Sequence, residues 1–415
     1  MSNQSPAAAA VTHTDERPMG QIRNLALATW IFAMTFWAWN LVAPLGVLYT
    51  DEFDLSSGQK ALLVAAPVLV GSLGRVVTGA MTDRFGGRRM FLWLSFISIV
   101  PVLLVSRAGQ GDSYPLLVVS AFLLGVAGTT FAVGIPFVNA WFGPSRRGFA
   151  TGVFGAGMGG TALSAFLTPR LVDWFGYTQT HLLIAAALAL TGFVTWKWVV
   201  DAPAWKPNRE AVIPKLRNAL KLPVTWQMSF LYAVTFGGFV AFSTYLPTYL
   251  KDVYDFDLTA AGTRAAGFAL GAVIARPIGG VLSDRFAPRP VVLVSLAGTA
   301  FLALVIAAQP DPELAAGSTF VAMAVMLGIG TGGVFAWVAQ RAPADRVGAV
   351  AGIVGAAGGL GGFFPPLVMG ATYDEVAHSY TVGLTLLFVT ALVALVFVLA
   401  GLRSSRPAAQ ETPAR

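Results

Sequence analysis

The sequence predicts an all-α integral membrane protein in which twelve transmembrane helices form two pseudo-symmetric six-helix halves. Three observations predict this fold class: the scarcity of charge, a series of twelve long apolar segments, and an internal repeat. Of the 415 residues, 56% are hydrophobic and only 11% are charged. Because soluble domains carry about 25% charged residues, this chain lacks the polar surface that a soluble fold of its size needs.

The apolar segments are long enough to cross a bilayer, which takes about 20 residues in a helix. They lie near residues 24–49, 59–81, 88–106, 115–140, 147–169, 179–199, 226–250, 262–282, 290–308, 316–339, 347–371 and 380–402. We predict helices because every backbone polar group inside the hydrocarbon must be satisfied within the protein. The polar segment before the first span, and the length of that span, favour a retained tail over a signal peptide.

These spans divide the chain into two bundles joined by a polar linker. We predict an N-terminal tail at 1–22, an N-terminal bundle at 23–200, a linker at 201–225, a C-terminal bundle at 226–402 and a C-terminal tail at 403–415. Within the linker, Lys215–Leu222 alternates basic and apolar residues. This pattern predicts a short helix on the cytoplasmic membrane surface.

Basic and acidic loops alternate along the chain and predict its orientation. One set of loops carries Arg84, Arg88, Arg89, Arg146, Arg147, Lys206, Arg209, Lys215, Arg217, Lys221, Arg285, Arg289, Arg341 and Arg346. The other set carries Asp51, Glu52, Asp54, Asp112, Asp252, Asp255, Asp257, Asp311, Glu313, Asp374 and Glu375, with Arg107, Arg170 and Lys251 as its main positive charges. The positive-inside rule places the first set and both termini in the cytoplasm, which requires an even number of spans.

The net charge of +7 belongs to these short loops and forms no basic patch, so we expect the lipid bilayer, and no nucleic acid, as a partner. The chain contains no cysteine, which excludes disulfides and cysteine metal sites. His13, His181 and His378 have no metal-ligand spacing. No nucleophile–base pair is evident, so we expect neither an enzyme nor a resident cofactor or metal.

The chain matches itself at an offset of about 200 residues. Residues 74–85, GRVVTGAMTDRF, align with residues 275–286, ARPIGGVLSDRF. Glycines 148, 152, 155 and 159 align with glycines 348, 352, 355 and 359. Span 2 therefore corresponds to span 8, and span 5 to span 11. Two parallel halves related by an axis along the membrane normal define the major facilitator architecture, whose binding site lies at the midplane between the halves.

The repeated Asp-Arg-Phe sequence places four charges at equivalent cytoplasmic positions. They are Asp83, Arg84, Asp284 and Arg285. These residues lie too near the membrane surface to bind cargo at the midplane. We predict that they act as locks between helices and bias the protein toward its inward-open or outward-open state.

Two arginines lie deep in the membrane. Arg75 precedes Arg84 by nine residues and Arg276 precedes Arg285 by nine, which places each about 13 Å from the cytoplasmic interface. Intramembrane charges are costly and mark a pathway or a site. No span contains a central Asp or Glu, so the counter-charge is expected to be the cargo. A planar, permanently charged guanidinium suits a planar oxyanion; the alternative is that each arginine bonds only backbone carbonyls.

Aromatic and glycine residues near these depths supply further candidates. The phenylalanines with repeat-related placement are Phe36, Phe131, Phe236 and Phe335, in spans 1, 4, 7 and 10. Tyr232 and Asn139 are candidate hydrogen-bond donors, although a buried tyrosine often bonds a neighbouring backbone group. Most glycines of the repeat serve helix packing, and we predict that Gly159 and Gly359 also expose backbone to the anion.

At these residues the chain resembles the nitrate/nitrite porter family of the major facilitator superfamily over nearly its whole length. The most specific segments are GIVGAAGGLGGFFP at 352–365, YAVTFGGF at 232–239, DRFGGRR at 83–89, RPIGG at 276–280, and Phe36 with Trp39. The resemblance implies that Arg75 and Arg276 clamp the anion and that Tyr232 adds a hydrogen bond. It implies aromatic walls formed by the four phenylalanines, alternating access by rocking of the halves, and a bacterial inner membrane. We expect a monomer.

Span 5 departs from the family pattern. The family usually carries an asparagine beside the anion, whereas residues 155–161 read GAGMGGT here. The matching position is Gly159 or, with a gap of one, Met158, and Thr161 is a partial substitute. Nitrate and nitrite therefore remain the leading cargo, with cyanate, formate or a short carboxylate as the alternative.

The mode of energy coupling follows from the scarcity of titratable groups in the spans. Proton symport usually employs such a group within the membrane, and His181 lies near the outer end of its span. The sequence therefore favours an antiporter, for example nitrate against nitrite. A proton that travels with the anion is the alternative.

Overall fold

The computed structural model describes residues 20–111, 113–142, 146–203, 205–207, 212–312, 315–343 and 346–402. The C-terminal tail predicted at 403–415, and all but the last three residues of the N-terminal tail predicted at 1–22, lie outside the described residues. Within the described ranges the chain is almost entirely helical. This confirms the predicted all-α class.

Twelve helices of the described chain are long and apolar enough to cross a membrane. Spans 1 to 12 are Gln21–Phe53, Ser57–Phe85, Gly87–Ala108, Tyr114–Trp141, Phe149–Phe175, Tyr177–Trp198, Pro223–Tyr254, Leu258–Phe286, Pro288–Ala307, Ala316–Arg341, Val347–Ala371 and Thr381–Gly401. Each matches one predicted segment, and most extend a few residues further at one or both ends. The predicted count and placement of spans are confirmed.

The repeat is visible in the backbone at the first residues of spans 2 and 8. Span 2 begins with a capping box, in which the Ser56 side chain accepts from the backbone N–H of Gln59. Span 8 begins at the equivalent position with Asp257, whose carboxylate accepts from the N–H of Ala260. Such caps satisfy N–H groups that the first helical turn leaves unpaired. The two cap residues are 201 residues apart, the same offset as Arg75 and Arg276.

The turns that follow these two spans are also equivalent. Gly86 ends span 2 with φ 88°, and Ala287 ends span 8 with φ 71°. The left-handed region suits glycine and strains alanine, so the tight turn is retained in the second half although its glycine is not. The backbone thus repeats more faithfully than the sequence.

Span 1 is broken, whereas the sequence predicted one continuous segment over 24–49. Its first helix, Gln21–Trp39, ends at Asn40, and a 3₁₀ turn, Ala43–Leu45, leads into the helix Gly46–Phe53. Pro44 explains the interruption because it lacks a backbone N–H and clashes with the preceding helical turn. The amide of Asn40 donates to the carbonyl of Thr161 at 3.4 Å, which ties the break to span 5.

The two halves meet along pairs of spans that the repeat relates. Span 2 packs against span 11, and span 5 against span 8. Glycine allows close approach in both places: Gly359 lies against Ser72, and Gly262 lies against the carbonyl of Ala165. The linker forms the helix Val212–Leu220, which packs against span 11. The interface between halves therefore runs through the spans that carry both intramembrane arginines.

Two neighbouring glycines in span 8 test the packing of the C-terminal half. A Cβ on Gly279 would overlap the carbonyl of Ile329 in span 10, whereas a Cβ on Gly280 would meet nothing within 4 Å. We expect Gly279→Ala to destabilise the purified protein by about 1–3 kcal/mol, the usual cost of overpacking. Gly280→Ala is the matched control and should melt like the parent. Thermal unfolding in detergent, monitored by tryptophan fluorescence, measures the stability of both variants. Equal melting temperatures of the two variants would contradict the close contact between Gly279 and Ile329.

Candidate binding site between the halves

A cavity of about 680 Å³ lies between the two halves, and three of the predicted binding residues, Arg75, Phe131 and Phe335, line it. Spans 2, 4, 10 and 11 and the linker helix line it. Arg75 forms its deep end, and Asp83, Asn139, Lys215, Asn218 and Arg346 line the part nearer the linker. The cavity therefore opens on the linker side of the protein.

The opposite end of the interface is closed by an ion pair. Nζ of Lys60 in span 2 lies 2.8 Å from both carboxylate oxygens of Asp252 in span 7. The Tyr380 hydroxyl, at the start of span 12, donates to the same carboxylate and lies 3.1 Å from the hydroxyl of Tyr245. The Lys60 side chain is 7% exposed. We call Lys60, Asp252 and Tyr380 the outer gate.

A second contact between halves supports this closure. On the same side of the membrane, Arg170 of span 5 donates to Thr263 of span 8 at 2.8 Å. Thr259 of span 8 donates to the carboxylate of Asp173 at 2.7 Å. Together with the outer gate, these bonds hold the halves shut on one side while the cavity stays open on the other.

Arg75 is buried, with 5% of its surface exposed. Its Nη1 donates to the carbonyl of Gly355 in span 11 at 3.1 Å. Its Nε is buried and finds no hydrogen-bond partner among the described residues. A buried donor without a partner costs about 1–3 kcal/mol, so this N–H favours a bound acceptor.

Arg276 reaches the same region from span 8. Its Nη2 donates to the hydroxyl of Tyr232 at 3.3 Å, and its Nη1 contacts Sδ of Met158 in span 5. Tyr232 and Met158 are both buried. The arginine from the C-terminal half therefore contacts the N-terminal half through a thioether, which is a weak acceptor.

Aromatic rings connect the two guanidinium groups. The Phe131 ring centre lies 5.0 Å from Cζ of Arg75 and 5.6 Å from Cζ of Arg276. Phe236 likewise lies 5.6 Å and 5.9 Å from them, and Phe335 lies 5.6 Å from Arg276. Distances of up to about 6 Å allow a cation–π attraction, which partly stabilises a desolvated cation. The pair of arginines and three of the four predicted phenylalanines thus form one cluster.

The cluster carries two positive charges that are not neutralised by carboxylates of the described chain. The ion pairs found among described residues join Lys60 to Asp252 and Lys251 to Asp255, far from the cluster. Of the described residues lining the cavity, Asp83 is the one carboxylate. It lies eight residues from Arg75, or about 12 Å along the helix. The site can therefore compensate its charge by taking up an anion.

The remaining predicted binding residues lie beside the cluster. Phe36 is buried and packs on Phe32 at 4.3 Å between ring centres, and Phe32 in turn lies 5.7 Å from Phe131. Gly359 packs on Ser72, and a Cβ on Gly159 would meet nothing within 4 Å. The structure thus brings Arg75, Arg276, Tyr232 and three phenylalanines together, and it places Phe36 and the two glycines outside this contact set.

Two further candidates from the sequence have partners of their own. Asn139 lines the cavity and accepts a hydrogen bond from Thr151 at 3.1 Å. Thr161, considered as a substitute for the missing asparagine, donates to the carbonyl of Met158 within its own span at 2.9 Å. Met158 itself contacts Arg276, so the side chain of this turn that reaches an arginine is the methionine.

The four predicted lock residues lie at the open end of the interface. They are Asp83, Arg84, Asp284 and Arg285, and Asp83 lines the cavity together with Lys215 of the linker helix. The two arginines lie over the ring of the next residue in sequence, at 5.5 Å for Phe85 and 5.4 Å for Phe286.

Sequence reasoning missed the outer gate and the two acceptors opposite the arginines. Lys60 carried a signal, because it is a charge at the edge of an apolar span, and Asp252 was counted only as a loop acid. The Gly355 carbonyl is a backbone group, for which no residue type is diagnostic. Met158 was considered only as an alignment alternative for the missing asparagine.

Twelve spans in two repeated halves, with a deep charged cavity open on one side, define a membrane transport protein of the major facilitator type. The sequence comparison supports this class: a model described as "Major Facilitator Superfamily" matches residues 25–265 and 256–415. A bacterial homologue of the human lysosomal transporter Spinster shares the fold, with a TM-score of 0.67, 17% identity, and coverage of 92% of this chain and 96% of that chain.

Relatives by sequence narrow the class. The "Probable nitrate/nitrite transporter NarK2" of Mycobacterium tuberculosis (strain CDC 1551 / Oshkosh) is 61% identical over 94% of this chain and 99% of its own length. The "Probable nitrate/nitrite antiporter NarK1" of Thermus thermophilus is 36% identical over 85% of each chain. The "Nitrite extrusion protein" of Bacillus subtilis (strain 168) is 32% identical over 91% of this chain and 93% of its own.

The chain belongs to the nitrate/nitrite porter family of the major facilitator superfamily. The recognition made from sequence is therefore confirmed, as is the expectation of a transporter and not an enzyme.

One-sided access to the cavity can be tested with introduced cysteines, because the chain has none of its own. Gly352 lines the cavity, and a Cβ at this position would meet nothing within 4 Å. We expect a membrane-impermeant maleimide to label Gly352→Cys from the linker side only. Adding Asp252→Asn removes the outer-gate ion pair and should raise labelling from the opposite side at least about 10-fold, for a shift of about 1.4 kcal/mol.

Two controls accompany this experiment. Gly267→Cys in span 8 is equally uncrowded but lies outside the cavity, and should stay unlabelled from both sides. The charge swap Lys60→Asp with Asp252→Lys should restore one-sided labelling. Equal labelling of Gly352→Cys from both sides in the parent background would rule out the closed outer gate.

Proposed function

We propose that this protein transports nitrate and nitrite across the membrane by alternating access, with the anion held between Arg75 and Arg276. The observation that carries the proposal is the pair of guanidinium groups that share two aromatic rings and have no carboxylate of the described chain beside them. The relatives whose names specify nitrate or nitrite support the same cargo.

The chemistry of the cluster suits a small planar oxyanion. Guanidinium is planar and offers parallel N–H donors, so two of them can face different oxygens of one anion. The donors already contact only exchangeable or weak acceptors, namely a backbone carbonyl, a tyrosine hydroxyl and a thioether. An incoming anion replaces these with charge-assisted hydrogen bonds, which are about twice as strong as neutral ones.

The aromatic walls favour anions that give up water readily. Phe131, Phe236 and Phe335 offer ring faces and edges and no hydrogen-bonding groups, so the anion must shed much of its hydration to lie among them. Burying a charge is costly unless it is fully paired, and the cost is lower for nitrate, which spreads its charge over three oxygens, than for formate or a short carboxylate, which spread it over two. This argument favours nitrate, and the names of the relatives support nitrite beside it.

Another small anion, such as cyanate or formate, is the second candidate. The observation that favours it is the span 5 turn, where no asparagine amide is present and a Cβ on Gly159 would meet nothing within 4 Å. This turn leaves one side of the anion without an amide donor. Direct competition by each anion against labelled nitrate ranks the two candidates.

Anion exchange is the coupling that the site favours. The cluster contains permanent cations and a tyrosine, and Asp83 is the one carboxylate among the described cavity residues. We infer an antiporter in a bacterial inner membrane, functioning as a monomer, with the linker and both termini in the cytoplasm. In that orientation the structure corresponds to the inward-open state, and the charges of the repeated Asp-Arg-Phe sequence lock the cytoplasmic side after the halves rock.

Lysine substitutions test the two-arginine clamp. Lysine keeps the positive charge and loses the bidentate fork, so we expect Arg75→Lys and Arg276→Lys each to lower nitrate affinity about 10- to 100-fold, for a loss of about 1.5–3 kcal/mol. Counterflow of labelled nitrate against internal nitrite in proteoliposomes measures the effect. Arg107→Lys, outside the cluster, is the matched control and should transport like the parent.

Removal of the tyrosine hydroxyl is a milder test of the same site. Tyr232→Phe keeps the ring stacked on Phe236 and removes the hydroxyl that is proposed to donate a hydrogen bond to the anion, so we expect the KM for nitrate to rise about 2- to 10-fold, for about 0.5–1.5 kcal/mol. Tyr249→Phe, in the same span but bonded to the carbonyl of Ile306, serves as its control. If the parent protein moves neither nitrate nor nitrite, the proposed cargo is wrong.

A further inference from the structure

The two intramembrane arginines contact the opposite half in different ways. Arg75 reaches from span 2 to span 11 and donates to the backbone carbonyl of Gly355. Arg276 reaches from span 8 to span 5, the repeat-related partner, and contacts the side chain of Met158. The two arginines therefore connect equivalent pairs of spans, but the acceptor is a backbone carbonyl for Arg75 and a thioether for Arg276.

Met158 is held firmly in this position. It belongs to the 3₁₀ turn Ala156–Gly159 that interrupts span 5, and only 3% of its surface is exposed. Its backbone carbonyl accepts from Thr161 at 2.9 Å. The neighbouring Gly157 packs against Phe32, so the backbone of the turn has little freedom to move away from span 1.

We propose that Met158 is a positioning residue that sets the affinity of the site by competing, weakly, with the anion for Arg276. This inference rests on the proposed function. A thioether is a weak acceptor and no donor, so it orients the guanidinium in the empty site and yields readily when an oxyanion arrives. A stronger acceptor at this position would compete better with the anion for the N–H of Arg276. An aliphatic side chain would accept no hydrogen bond, so this N–H would be unpaired in the empty site.

Two substitutions of similar size separate these effects. Met158→Leu removes the sulfur at nearly constant volume, a class of change that cores tolerate well. It leaves a buried N–H unpaired in the empty site, so we expect the Kd for nitrate to fall about 2- to 10-fold. Met158→Gln places a carboxamide oxygen there, and because that oxygen is a stronger acceptor we expect the Kd to rise by a similar factor.

Transport kinetics give a readout that a merely structural role would not move. Tighter binding slows release, so Met158→Leu should lower both the KM and the kcat of nitrate counterflow. In an Arg276→Lys background the shorter ammonium group no longer meets residue 158, and Met158→Leu should then change neither constant. Met323→Leu, at a buried methionine of span 10, is the matched control and should behave like the parent.

Calorimetric titration of nitrate into the purified full-length protein, beside counterflow in proteoliposomes, decides the matter. Opposite shifts in Kd for the two variants, lost in the Arg276→Lys background, are the expected result. If both variants bind nitrate as the parent does, or both weaken it equally, Met158 only fills space and the inference is overturned while the proposed function stands. If the parent binds neither nitrate nor nitrite, the proposed function fails and this inference fails with it.

Discussion

Two permanent positive charges in the apolar middle of the protein are the constraint on which the rest of the structure depends. An isolated guanidinium at this depth is costly, and neither arginine can escape the cost by losing its proton. The structure offsets it with ring faces, a backbone carbonyl, a tyrosine hydroxyl and a thioether. None of these carries a formal negative charge, so the site remains cationic until an anion enters it.

Both halves contribute to offsetting the free-energy cost of burying the two guanidinium groups. Anion binding is therefore connected to the relative position of the halves. Each arginine belongs to one half and contacts an acceptor of the other, so the rocking of the halves that we propose would change the central contacts. At the closed end, the outer gate makes a similar connection between spans 2 and 7 through a buried ion pair. Breaking such a pair without replacement is costly. This cost adds to the free energy needed to open the closed side.

Much of this architecture could be predicted from the sequence, because in a bilayer the physical constraints are few and strong. Apolar length predicted the twelve spans, the distribution of Arg and Lys predicted an orientation, and the repeat around Arg75 and Arg276 placed both charges at one depth. The cluster of those arginines with Tyr232, Phe131, Phe236 and Phe335 follows from repeat-related positions and from the family resemblance.

What the sequence left out depends on rotation and distance between helices, which periodicity does not encode. Phe36 shares its depth with the site but faces Phe32 and Trp39. Gly359 belongs to a repeated glycine row but packs on Ser72. Lys60 and Asp252 are separated by 192 residues, and the sequence around either residue does not predict their ion pair. The break at Asn40 likewise depends on a partner carbonyl in span 5.

The one-sided cavity also determines where the membrane voltage is felt. A space of about 680 Å³ is large enough to hold many water molecules, and such a column extends the potential of the linker side nearly to Arg75. The electric field is therefore concentrated across the thin, dry layer between the arginines and the outer gate. An anion that enters the cavity crosses little of the field. In the proposed alternating-access cycle, the electrical work of about 2.3 kcal/mol per charge per 100 mV therefore falls on the step in which the closed layer changes from one side of the bound anion to the other.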